Sequence, residues 1–519
     1  MFAGAVPFCS VPRRQPASTP STRILDVDPP SAPGRDLPRG IVDEWVRIVA
    51  TLVRHDDAGV LGMLRYRLAG EGAWEHAPLL PRPERRFEGA FLPDRPGRWE
   101  VQIDAWTNRW AAWRDDISTK VQGAGQADYA NELLAAHALL EEFRQFAYVG
   151  EMLEYVEEVG DQTMQLAMLL GVEALPDQHE LVSLPCPFVV AVDPEAARSG
   201  SWLELPAGAK PSSLRRVAAT GFDTVLVSAP VALGGSTGPA RDALAHVTSL
   251  APAADAAGLR LALRVTAGGG LDALEGTELD SLCAELVAWV VAGIRSFEVE
   301  GAARVPLPVW EAVLAEVLRQ EPAVIFSAAG PLPPALAHGL GLVGFAQQSA
   351  GLALVPTRSE AELLATGSLR SLTSPSPWRR LVASGGGPLV AAAMLSPGCG
   401  FGVVDPSAGA LSLARRLVNL RRDWAPLRPD AELRFLDTED DRTLAFLRCA
   451  RHEELLIVLS RDAAAAIETT VTLPAEAGSP DTFDALDLLG GTDRRLSWRT
   501  GACPVLLPPG GAFVLRLDR

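Results

Sequence analysis

The sequence predicts a multidomain chain: an N-terminal β-sandwich with a helical insertion, a trimmed central (β/α)8 TIM-like barrel and a C-terminal β-sandwich. Three observations predict it. A length of 519 residues exceeds what one hydrophobic core ordinarily serves. Strands with apolar–polar alternation occupy both ends of the chain. Between them, near-continuous apolar strands alternate with helical stretches, the pattern of a parallel sheet covered on both faces.

In chain order, residues 1–22 are rich in Pro, Ser and Thr and lack a basic start followed by a long apolar run, so they read as a flexible tail rather than a signal peptide. From 23 to 118, Val46–Val53 is mostly apolar while Gly62–Arg67 and Trp99–Ala105 alternate, which predicts an antiparallel sandwich. Trp99, Trp106, Trp110 and Trp113 lie on or after its last strong strand. Sandwich core and rim is the plain reading of these four; stacking against sugar is the sharper one. From 119 to 180 the spacing turns helical, with Leu133, Ala136, Leu140 and Phe143 on one apolar face and Met152, Val156 and Val159 on a second. From 181 to 430, strands are expected at Phe222–Ser228, Leu259–Val265, Ile294–Glu300, Ala323–Ala328 and Leu342–Gln347, and helices at Asp242–Ala257, Leu279–Ala292 and Trp310–Arg319. Barrels of this kind typically take about 250 residues, so this one is lean. Trp289 and Trp310 sit at helical spacing and read as core. From 431 to 519 the strands alternate again, at Leu433–Leu436, Thr443–Leu447, Leu455–Leu459 and Phe513–Leu517.

Charge and composition exclude several functions. The net charge is −17, from 47 basic and 64 acidic residues, and no cationic cluster suits nucleic acid. Six scattered cysteines without a CxxC or a Cys/His grouping predict no metal site and suit a reducing cytoplasm. No cofactor motif is present. Residues 322–357 hold no Asp, Glu, Lys or Arg, but Pro331, Pro333, Pro334, Gly339, Gly341, Gly344 and Gly351 break the stretch too often for a membrane helix. The Gly385–Gly387 run lacks the lysine and threonine of a phosphate loop and reads as an ordinary loop. Four arginines in Leu413–Trp424 read as ion-pairing residues on an acidic protein. Only Lys120 and Lys210 are lysines, and all four tyrosines fall before residue 156.

Several runs carry a family resemblance. Arg95–Lys120 (RPGRWEVQIDAWTNRWAAWRDDISTK) closely resembles the N-terminal domain of bacterial maltose-1-phosphate-dependent α-1,4-glucan maltosyltransferases, members of glycoside hydrolase family 13. Val192–Pro206 resembles that family's entry into the barrel, Thr220–Pro230 its second strand, and Ala292–Val317 its fourth strand and following helix. FDALDLLGG and LLPPGGAFVLRL resemble its C-terminal domain, so the similarity covers nearly the whole chain beyond residue 22. The resemblance implies a retaining mechanism with an aspartate nucleophile, a glutamic acid donor and a second aspartate. Two carboxyls must flank the scissile bond about 5–5.5 Å apart.

Each implied position departs from the family pattern. The nucleophile's place after an Arg-Val is taken by Glu300 in Glu298-Val299-Glu300. Residues two apart on a strand share a face, so Glu298 is expected to set a like charge beside Glu300 and disfavour its ionised form. The acid position at the end of strand five is Ala329, and the third carboxylate's position is Ser376. The His and Lys that follow the nucleophile in the family correspond to Ala303 and Val305.

The expected function is that of a pseudoenzyme of α-glucan (glycogen) metabolism, with no intact catalytic residue, acting in the cytoplasm as a homodimer or as a non-catalytic partner of an active maltosyltransferase. One alternative is a residual enzyme acting on α-1,4-glucans through Glu298 and Glu300. The other is a non-catalytic glucan-binding protein using the Trp106–Trp113 region.

Overall fold

The computed structural model describes residues 22–30, 37–54, 59–123, 129–172, 179–234, 239–268, 271, 276–369, 377–396, 398–401, 408–429, 431–474, 482–490, 495–499 and 501–518. The expected tail over 1–22 lies outside them except for Thr22. The chain divides into two compact units: residues up to 31 with 45–91 and 99–189, and residues 32–44 with 92–98 and 190–519.

In the first unit, antiparallel pairing runs from Thr22–Asp28 through Val46–Arg54, Arg86–Phe91, Glu75–Pro81 and Val60–Leu68 to Gly97–Thr107 and His179–Ser183. Along Val46–Arg54 alternate side chains (Ile48, Ala50, Leu52) are buried, which is the expected one-sided pattern, whereas Gly97–Thr107 is buried on both faces from Val101 onward. The two faces meet so closely that a Cβ at Gly62 would lie 2.7 Å from Leu52 Cδ1. Between the last two strands stand four helices, Arg109–Gly123, Ala130–Glu141, Ala147–Glu158 and Gln162–Leu170. Their apolar stripes converge on one cluster that includes Trp110, Leu133, Leu140, Leu153, Val156 and Leu166.

In the second unit, eight parallel strands close into a barrel: β1 (Ser201–Pro206), β2 (Thr224–Ala232), β3 (Arg260–Thr266), β4 (Ser296–Glu300), β5 (Ile325–Ala329), β6 (Gln347–Gly351), β7 (Trp378–Ala383) and β8 (Gly398–Phe401). Each pairs with its successor, and β8 returns to β1 through Ser201↔Cys399 and Trp202↔Gly400. Helices follow every strand, among them Thr277–Val291, Leu307–Gln320, Pro334–Val343 and Ala408–Asp423. Trp289 and Trp310 are 4% and 1% exposed, so their helical spacing did mark core. The C-terminal region adds a six-stranded and a three-stranded antiparallel sheet packed face to face around Leu447, Leu456, Val471, Phe483 and Leu515.

The expected strand at Leu342–Gln347 is corrected by the structure. Leu342 and Val343 end the helix Pro334–Val343, Gly344 turns the chain at φ 127°, and the strand is the polar run Gln347–Gly351. An apolar run had signalled a strand, but here the apolar residues belong to a buried helix and the strand faces a polar barrel interior.

No helix among the described residues is long and apolar enough to cross a membrane. Of the Gly385–Gly387 run, Gly386 and Gly387 begin the helix Gly386–Leu395, and only at Gly387 is packing close: a Cβ there would lie 3.0 Å from Val355 and 3.1 Å from the Gly510 carbonyl.

Candidate functional site

Side chains alternate across a strand, so the residues of β4 divide cleanly. Phe297 and Val299 pack outward with Trp289, Trp310 and Phe326 among the helices. That leaves Ser296, Glu298 and Glu300 facing the barrel axis. Interiors of such barrels are ordinarily filled by bulky branched apolar side chains. Here the lower layer is apolar apart from Ser296, with Trp202, Leu226, Ala262, Ile325 and Trp378. Two residues further along four of the strands stands a charged layer: Glu204 on β1, Arg264 on β3, Glu298 on β4 and Arg380 on β7.

This layer is one connected network. Arg264 donates to Glu298 Oε2 from Nε at 2.9 Å and Nη2 at 2.7 Å, and to Glu204 from Nη1 at 2.7 Å and Nη2 at 3.1 Å. Its Nη1 also reaches Ser228 Oγ at 2.8 Å. Arg380 donates to the other oxygen of Glu298 and lays its guanidinium 3.8 Å from the Trp202 ring centroid. A desolvated contact of that kind stabilises by about 2 kcal/mol. Glu298 and Arg380 are almost wholly buried, at 4% and 1% side-chain exposure. Burial opposes ionisation of Glu298, but the charges of Arg380 and Arg264 and hydrogen bonds from Arg264 and Ser349 outweigh it, holding its pKa below the ordinary glutamate value. On Arg264, burial likewise opposes the charge, and Glu204 and Glu298 more than offset it, so its pKa is raised.

Glu300 stands above this layer at the carboxyl end of β4, half exposed, with Arg264 Nε 3.5 Å from its Oε1. The like-charge pair expected from the sequence is therefore not bare. A cation from β3 lies against both carboxylates and supplies locally the charge that position 298 lacks. Ala329 ends β5, backbone-paired with Ser349 on β6, and offers no proton. Ser376 lies outside the described residues. Val305 is buried among apolar side chains and Ala303 is exposed on a short turn whose Ala302 carbonyl accepts from Trp310 Nε1 at 2.9 Å. Neither position offers a polar group to a substrate.

The arrangement can hold charge; among the described residues, the implied positions offer the Glu300 carboxylate and, at Ala329, no group that can pass a proton. Both oxygens of Glu298 are bonded to arginines and the carboxylate is held ionised, so it cannot serve as an acid. Trp106 and Trp110, 7% and 1% exposed, offer no platform to a sugar, and Trp110 stacks on Trp113 with centroids 4.8 Å apart. Sequence reasoning missed Arg264 and Arg380 as partners of Glu298, and Glu204 as the second partner of Arg264. A signal was present: each is a charge inside an otherwise apolar barrel strand, and a buried charge requires a partner.

Residues 21–185 match the pattern of domain N/S of α-1,4-glucan:maltose-1-phosphate maltosyltransferase. The maltosyltransferase of Corynebacterium pseudotuberculosis (strain 1002) is 23% identical over 443 residues, covering 66% of each chain. That of Salinibacter ruber is 31% identical over 173 residues, covering 31% of this chain and 26% of its own length. That of Myxococcus xanthus is 24% identical over 429 residues, covering 63% of this chain and 64% of its own. This chain is a relative of the α-1,4-glucan:maltose-1-phosphate maltosyltransferases. It spans about two thirds or less of the length of these curated relatives. A solved Anoxybacillus α-amylase superposes with a TM-score of 0.41 at 13% identity, covering 59% of this chain and 89% of that one. The barrel assignment stands on the strand register described above.

Proposed function

We propose that this relative of the maltosyltransferases is a pseudoenzyme of α-glucan metabolism, working in the cytoplasm as a non-catalytic partner or regulator of an active maltosyltransferase. The observation that carries the reading is Glu298, locked between Arg264 and Arg380 beside Glu300, with Ala329 at the end of β5. A retaining glycosyl transfer needs one carboxylate to attack and one carboxylic acid to protonate. At the positions described, this chain has the first and no candidate for the second. The tertiary effort of the barrel interior goes into a salt-bridged layer that holds strands β1, β3, β4 and β7 together.

Two measurements test the proposal. Purified protein given maltose 1-phosphate and maltohexaose should release no phosphate above a buffer control; release that disappears in Glu300→Gln would defeat the pseudoenzyme reading. Mixed at micromolar concentration with an active maltosyltransferase from the same organism, the chain should co-elute with it on a sizing column. Separate elution would defeat the partner role.

A further inference from the structure

On the amino-terminal side of the barrel, where β1 and β2 begin, the second unit holds a cleft of about 770 Å3. Small-molecule sites occupy about 300–1,000 Å3. Arginines form one wall: Arg421 and Arg422 end the helix Ala408–Asp423, and Arg428 follows it. The intervening turn Ala425–Leu427 folds back, with the Leu427 N–H donating to Trp424 O at 3.1 Å and the Arg428 N–H to Ala425 O at 3.0 Å. That return brings Arg428 to the helix end. Arg421 is held in place by donating Nη1 to Ala393 O at 2.5 Å and Ser396 O at 2.7 Å. The sequence had suggested that these helix arginines serve ion pairs; Arg422 does pair with Asp423, Arg421 also caps carbonyls, and both line the cleft.

Two of the cleft's acids are already engaged. Glu44 takes both prongs of Arg198, and Asp223 accepts the Ser201 N–H at 2.7 Å and the Thr224 hydroxyl at 2.7 Å. Arg422 meets its exposed neighbour Asp423 at 3.1 Å, a contact worth little in water. The Arg428 side chain makes no ion pair among the described residues. Apolar surface from Val418, Leu427 and Pro429 lies beside the arginines.

We propose that this cleft binds a small organic phosphate, its phosphoryl dianion held by Arg421, Arg422 and Arg428 and its carbon skeleton against Val418, Leu427 and Pro429. Guanidinium forks match phosphoryl oxygens in pairs, which makes arginine the side chain suited to this anion. A purely structural account assigns the arginines to the negative end of the helix dipole. That explains Arg421 and Arg422 but not Arg428, which lies beyond the helix.

The test is isothermal titration of the full chain with glucose 6-phosphate and, separately, inorganic phosphate, in a phosphate-free buffer. Wild type and Arg415→Gln should bind glucose 6-phosphate saturably, because Arg415 is exposed on the same helix but outside the cleft. Arg428→Gln should weaken binding about tenfold, the loss of one charge-assisted contact, with an unchanged melting temperature of the free protein. Inorganic phosphate binding as tightly as the ester would overturn the role of the apolar wall. No saturable binding at millimolar ligand, or equal weakening in Arg415→Gln and Arg428→Gln, would overturn the site.

Discussion

Glu298→Gln is expected to destabilise the barrel by about 3–5 kcal/mol, the cost of breaking a buried ion pair by removing one partner. The magnitude follows from the geometry. Glu298 Oε2 accepts two bonds from Arg264, at 2.7 and 2.9 Å, and Oε1 accepts from Arg380, which is 1% exposed. Glutamine keeps one acceptor oxygen and turns the other into an N–H2 pointed at a guanidinium. One arginine then loses its carboxylate where water cannot replace it. Replacing both charges, in Glu298→Gln/Arg380→Met, should recover at least half of the loss, since methionine can still cover the Trp202 face. Urea unfolding followed by tryptophan fluorescence and far-ultraviolet circular dichroism reads the effect, compared transition by transition because a chain of this size need not unfold in one step. Glu298→Gln matching or exceeding wild-type stability would refute the reasoning. That sign belongs to a strained catalytic carboxylate, whose removal typically relieves the fold.

Burial pushes the Asp223 carboxyl up to about 6, against the bonds from Ser201 and Thr224 that favour its charge. The folded state therefore takes up a proton that the unfolded chain releases, and this group's contribution to stability falls as pH rises from about 4 to 6. A shift of about two units corresponds to about 3 kcal/mol, so Asp223→Asn should gain that much on wild type between about pH 4 and pH 7 in matched urea titrations. Trp110→Ala removes a buried ring, its stack on Trp113 and its bond to the Val172 carbonyl, 3.1 Å away; a loss of about 3–5 kcal/mol, read as early melting of helical circular dichroism, is expected. Arg39→Leu strips Asp193 of the guanidinium that lies 2.6 Å away and also donates to Gly341 O and Phe345 O. It should cost about 3–5 kcal/mol in urea unfolding, partly recovered by a second change of Asp193 to Asn. Gly301→Ala meets both a φ of 75° and the Ala267 carbonyl 2.9 Å from the new Cβ, and should cost about 1–2 kcal/mol by the same measurement.

The order of elements and much of the core could be read from the chain itself. Period-2 alternation located Gly62–Arg67 and Trp99–Ala105, and helical spacing located Trp289 and Trp310, because burial on one face of a regular element leaves its period in the sequence. Four of the five expected barrel strands overlap β2 to β5. The fifth failed at Gln347–Gly351, where the strand faces polar side chains and carries no apolar signal. The absence of a carboxylate at Ala329 was equally plain, since a missing functional group needs no geometry to detect.

What only the tertiary structure decided is the state of Glu298. Sequence spacing placed it on the same face as Glu300 and gave the two carboxylates nothing between them. The fold brings Arg264 from 34 residues upstream and Arg380 from 82 residues downstream onto its two oxygens. A strand's own periodicity reports which way a side chain points, but not which strand stands across the barrel. The charge that looked repulsive in one dimension is, across the closed barrel, the centre of a buried network.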